Sequence, residues 1–178
     1  MEKFDLKELS KKISGHPVIK EFQTILNDAR CISSMCLAGG AVVDILEGRE
    51  PKDYDFVQCP ESAADAFLDA GFKYVGSSST ADTYERNNVV VQFLTTNITD
   101  FDFKISQSRY RISKKELILD RNSFENKVLI PVSYKRRTVN TLRRIRHWEY
   151  KGYKASDSVY FSLLNQLSTK TNDRPIHS

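Results

Sequence analysis

The sequence predicts an α/β fold, and three observations predict it. Strand-like and helix-like runs alternate along most of the 178 residues. An apolar run over residues 35–38 ends at Gly39-Gly40 and gives way at once to helical spacing. A second strand-like run, from Asp53, follows that helix after a short turn. A glycine pair permits a tight strand-to-helix turn, and the free N–H groups that open the helix can hold an anion. Asp53 and Asp55 stand two apart in a strand, so their side chains project to one face, close enough to share or bridge divalent cations.

Taken in order, residues 5–26 carry Leu6, Leu9, Ile13, Val18, Phe22, Ile25 and Leu26 at helical spacing, broken at Gly15-His16-Pro17 into two helices. The first strand is expected over 35–38 and a helix over 41–47, closed by Gly48, the residue type that best tolerates a left-handed cap. Strand 53–58 comes next, then an Ala-rich helix over 61–70 ended by Gly71. Strands follow at 72–75, 83–86 and 89–94, the last two turned by Asn87-Asn88. Residues 101–105 and 116–119 read as further strands, and a polar stretch leads to a helix from about 135 to 151. On its wheel Val139, Leu142, Ile145 and Trp148 span one half, and Arg136, Asn140, Arg143 and His147 the other. Val159, Phe161, Leu163, Leu164 and Leu167 support one more helix before a polar tail.

The net charge of +4 conceals an asymmetry. Residues 104–154 hold 15 Lys/Arg against 4 Asp/Glu, a balance of +11, and the remainder holds 12 against 19, a balance of −7. A basic segment with interleaved aromatics (Tyr110, Tyr134, Trp148, Tyr150, Tyr153) beside an acidic region suits contact with a polyanion near a metal site. Cys31, Cys36 and Cys59 form no C-x-x-C pair, so neither a disulfide framework nor a zinc knuckle is indicated. The three histidines are too scattered for a His-metal site or a Ser/Cys-His catalytic set. No apolar stretch approaches bilayer length and the first residues lack the order of a secretion signal, so a cytoplasmic protein without membrane contact is expected.

The run Gly39-Gly40-Ala41-Val42-Val43-Asp44-Ile45-Leu46-Glu47-Gly48-Arg49, followed by Asp53-Tyr54-Asp55, resembles the head domain of CCA-adding tRNA nucleotidyltransferases and bacterial poly(A) polymerases, in the DNA polymerase β-like nucleotidyltransferase superfamily. Asp102-Phe103-Lys104-Ile105-Ser106 is similar to the family's Asp-Phe-Thr-Ile-Asn segment, and residues 142–153 to its Leu-Arg-Ala-Ile-Arg helix. The resemblance implies the polymerase β-like fold, a mixed sheet flanked by helices, with a short helical C-terminal extension. It also implies one globule, in which residues 1–134 form the head domain with its N-terminal helices and 135–178 a basic, neck-like extension. Asp53 and Asp55 would hold Mg²⁺ or Mn²⁺, and Gly39 and Gly40 the triphosphate of an NTP. Arg49, Lys52 and Arg143 would lie near phosphate oxygens, and Arg136, Arg137, Arg143 and His147 would contact RNA.

Three departures from the family pattern stand out. Val43 occupies a position that is Arg in the usual Gly-Gly-x-Val-Arg-Asp run. Gln92 lies where a third acid is expected, and an amide cannot act as a general base. Asp102 is the candidate replacement, approaching the metals if strands 89–94 and 101–105 pair; Asp100 is a second. The family's base-reading Glu-Asp-x-x-Arg motif is not found in these residues, and the resemblance implies a compact, head-only form like those of phages and small genomes. The expected activity is metal-dependent transfer of NMP from NTP to a hydroxyl, most simply an RNA 3′ end. A protein or small-molecule acceptor is one alternative, and a degenerate fold that only binds is another. The sequence leaves the NTP selected and the oligomeric state open.

Overall fold

The computed structural model describes residues 4–31, 35–132 and 138–172, with side chains up to 166 in the last helix. The chain divides into two compact units: Met1–Thr99 with Ser106–Leu119, and Asp100–Ile105 with Asp120–Ser178.

The first unit opens with α1 (Leu6–Gly15) and α2 (Pro17–Asp28). Asp5 caps α1 by accepting from the Lys7 N–H at 2.8 Å, and Pro17 opens α2, where a missing N–H costs nothing. The expected break at Gly15-His16-Pro17 is where the first helix ends. Strand β1 (Cys36–Ala38) runs into α3 (Gly40–Leu46), and β2 (Tyr54–Val57) into α4 (Glu61–Asp69). β3 (Lys73–Ser77), β4 (Ala81–Arg86) and β5 (Val89–Leu94) form a meander. Asn87 and Asn88 both take positive φ, 50° and 65°, as a two-residue hairpin turn requires. β6 (Arg109–Arg111) and β7 (Glu116–Ile118) complete a seven-stranded mixed sheet in the order β3-β4-β5-β2-β1-β6-β7. Within it β2 and β5 are parallel and the other neighbours antiparallel.

One face of this sheet is a packed core. Phe22 of α2 meets Tyr54, Phe56 and Phe67 at centroid distances of 5.2, 5.5 and 5.4 Å, and Phe93 packs on Phe56 and Phe67. Because strand side chains alternate, burying Tyr54 and Phe56 on this face sends Asp55 and Val57 to the opposite one.

The second unit contains α5 (Arg121–Asn126), α6 (Thr138–Tyr150) and α7 (Asp157–Asn172). Its core includes Phe103, Leu129, Ile145, Trp148, Tyr153, Val159 and Leu163. The stretch expected to be merely polar contains α5, nucleated by Asp120, which accepts from the Ser123 N–H at 2.8 Å.

Two expectations are corrected. Residues 101–105 are not a strand: only Phe103 bridges, to Pro131, and a 3-10 turn begins at Ile105. The run looks strand-like because it is apolar, but both edges of β5 are already taken, by β2 and β4, so its proposed pairing with 89–94 does not form. The apolar side of α6 is also rotated. Thr138, Thr141, Ile145 and Trp148 are its buried residues, whereas Val139 is 53% exposed. No helix among the described residues is long and apolar enough to cross a membrane.

Candidate active site

The junction between β1 and α3 is shaped by Gly39. Its φ of 66° and ψ of −132° lie in a region open essentially to glycine alone, and its N–H donates to the Ser108 carbonyl at 2.8 Å. The antiparallel register Ala38↔Asp55 brings this turn to the end of β2 where Asp53 sits. Asp53 is the residue just before the strand, Asp55 is inside it, and both are partly exposed. Oδ1 of Asp55 is enclosed, away from solvent. On the other side of β2, Gln92 is the register partner of Asp55 and is also partly exposed.

One lateral row of the sheet therefore reads Thr83, Gln92, Asp55, Ala38, Arg109, all on the face opposite the aromatic core. The position expected to carry a third acid is the register partner of Asp55, and it carries an amide. Two carboxylates and an amide are hard oxygen donors, the kind Mg²⁺ prefers, and Mg²⁺ is commonly held by one or two carboxylates with substrate phosphates completing the shell. The donor set fits the metal. Among the described residues no cluster of three or more His, Cys, Asp or Glu is assembled for one.

The expected cations fall into different settings. Arg49 Nε donates to Asp44 Oδ1 at 2.9 Å and the guanidinium also pairs with Glu47. Burial works against its charge, but the Asp44 hydrogen bond and the charges of Glu47 and Asp44 hold its pKa above the ordinary value. The Arg49 N–H donates to the Asp44 carbonyl at 2.8 Å, so this arginine secures the end of α3. Lys52 is exposed next to Asp53. Nearby, the Tyr54 hydroxyl donates to Glu50 at 3.3 Å, and burial together with that carboxylate raises its pKa.

In the second unit, Asp102 is fully buried. It accepts from Thr141 Oγ1 at 3.4 Å and lies 3.9 Å from Arg144 Nε. Arg143 and His147 are exposed on α6 with Asn140, as the wheel predicted. Arg136 and Arg137 lie outside the described residues. The cysteines are free; burial pushes the Cys36 thiol up against the charges of Arg111 and Arg109, and the Cys59 thiol up to about 12.

No protein-family model matches the chain, and no curated protein matches it in sequence. Solved structures do. A CCA-adding enzyme in complex with CTP superposes with a TM-score of 0.69 at 15% identity, over 94% of this chain and 45% of that one. The Thermotoga maritima CCA-adding enzyme complexed with tRNA gives 0.68 at 16%, over 92% and 45%. A tRNA nucleotidyltransferase with a primer tRNA and an incoming ATP analogue gives 0.64 at 19%, over 84% and 50%. The fold is that of a nucleotidyltransferase head domain, a mixed sheet flanked by helices with a helical C-terminal extension. The chain spans half or less of the length of these three neighbours.

Proposed function

We propose that this protein is a nucleotidyltransferase (EC 2.7.7 type) that uses Mg²⁺ or Mn²⁺ to transfer NMP from an NTP to a hydroxyl, with an RNA 3′ end as acceptor. The observation that carries the reading is the register of β1, β2 and β5. It gathers the Gly39-Gly40 turn, Asp53, Asp55 and Gln92 at one place, on a sheet whose fold is that of nucleotidyltransferase heads. Asp53 and Asp55 are the metal ligands, and the Gly39-Gly40 turn with Lys52 takes the triphosphate. The bound cation supplies a lowered pKa for the attacking hydroxyl and charge neutralisation on the departing pyrophosphate. In the reaction, the hydroxyl oxygen bonds to the α-phosphorus, the bond from that phosphorus to the bridging oxygen breaks, and the hydroxyl proton passes to solvent.

NTP and RNA as partners are supported by neighbours whose structures hold CTP, an ATP analogue or tRNA, and by the basic balance of residues 104–154. Arg143 and His147, with Arg136 and Arg137, are the proposed RNA contacts.

Gln92 beside Asp55 favours a second reading, a fold that binds nucleotide or RNA without turning it over. Incubation of the full chain with each labelled NTP, Mg²⁺ or Mn²⁺ and total cellular RNA separates the readings. Label on RNA is expected; label on protein changes the acceptor, and NTP binding with no transfer selects the binding module.

A further inference from the structure

Arg109 belongs to none of the groups assigned above, and the family-like motifs did not single it out. It opens β6, where Ala38 is its register partner, and Ala38 in turn pairs with Asp55. Arg109 and Asp55 therefore stand on the same face with only a methyl side chain between them, at a Cα separation of roughly 10 Å from two strand spacings. An arginine stem spans more than half of that distance. Arg109 also lines an open cavity of about 580 Å³, together with Val57, Leu94, Ile98 and Thr99. Val57 and Leu94 lie two residues beyond Asp55 and Gln92 on the same face, so the cavity adjoins the row that carries Asp55, on the side away from Asp53.

The charge of Arg109 is uncommitted. Among the described residues it forms no ion pair and no side-chain hydrogen bond, whereas Arg111, two residues on and facing the same way, pairs with Glu116 at 2.9 Å. A half-buried guanidinium at the rim of a cavity of mixed polarity is suited to a planar, two-point grip on phosphoryl oxygens. Val43 leaves α3 with a fully buried apolar side chain where the resemblance leads one to expect a cation.

We infer that Arg109 is a substrate-binding residue that grips a phosphate of the substrate brought to Asp55. The inference rests on the proposed placement of a metal-bound nucleotide at Asp53 and Asp55. The phosphate belongs either to the NTP or to the acceptor strand, and the two are separable by binding.

The test is equilibrium titration of the full chain, wild type and variants, with Mg²⁺ and each NTP in one arm and a short single-stranded RNA in the other. Arg109→Ala is expected to weaken binding in one arm by about tenfold or more, the scale of a lost charge-assisted contact. Arg109→Lys should recover part of it, and Arg111→Ala should leave both arms as in wild type. Loss in the NTP arm assigns the grip to the NTP, and loss in the RNA arm to the acceptor. If Arg109→Ala binds both ligands like wild type, or loses no more than Arg111→Ala, the inference is overturned while the metal-site reading stands or falls on Asp55→Asn turnover. If wild type binds neither ligand, both fall. Should Arg109→Ala not fold, Arg109→Gln against Arg109→Lys decides by the same criterion.

Discussion

The chain writes almost the same four residues twice: Asp53-Tyr54-Asp55-Phe56 and Asp100-Phe101-Asp102-Phe103. In the first, the aromatic residues are buried and Asp55 is partly exposed, because a strand sends alternate side chains to opposite faces. In the second, Phe101, Asp102 and Phe103 are all buried, since no strand sorts them. Asp55 stands in a row of the sheet beside Gln92. Asp102 is enclosed, held by Thr141 and near Arg144. On the proposed reading, the carboxylate that a substrate can reach serves chemistry and the one enclosed in a core serves architecture. The difference comes from the backbone, not from the motif.

The sharpest way to break this contrast is to neutralise each acid in turn. Asp53→Asn or Asp55→Asn should leave the melting temperature near wild type and lower NMP transfer on the order of a thousandfold, about 4 kcal/mol of transition-state stabilisation. Undiminished transfer in either variant removes the metal-ligand assignment. Asp102→Asn should do the reverse, costing on the order of 1–3 kcal/mol of folding stability in a denaturant melt while turnover per folded molecule holds. A large fall in turnover at unchanged stability would return Asp102 to the catalytic set.

A smaller effect tests the basic segment. If its cations neutralise about four phosphates of single-stranded RNA, log affinity should fall against log salt with a slope near −3. A flat response would point to a protein or small-molecule acceptor. The smallest change is Gln92→Glu, which places a third acid beside Asp55. It should raise transfer by about tenfold, less than a well-positioned general base usually contributes, or create it if the natural protein only binds. A neutral or harmful outcome shows that the amide is the residue this site uses.

The parts of the candidate site that are legible in the sequence are local. Gly39-Gly40, Asp53 and Asp55 announce themselves through turn chemistry and a two-residue spacing, and Gly48 and Asn87-Asn88 through their positive φ. What escaped depends on distant partners. β6 has three residues, two of them arginines, and exists because β1 and β7 flank it, so neither it nor Arg109 had a local signature. Residues 101–105 look like a strand because an apolar run reports burial and not the availability of a strand edge. Val139 was misplaced because Thr138 and Thr141, polar by type, turn inward, with Thr141 meeting Asp102.

The parallel pairing of β2 with β5 bears on how the protein acquires its site. The β1–β2 pairing joins segments close in the chain and can form early, bringing the glycine turn to both aspartates, whereas Gln92 reaches Asp55 only after α4, β3 and β4 have been laid down between them. Closing such a distant contact is the slow part of folding. Protection of the Val91–Phe93 amides from hydrogen exchange should thus track global folding. If a nucleotide binds only the closed candidate site, it should slow their exchange together with that of the core, acting on the whole sheet as a stabiliser.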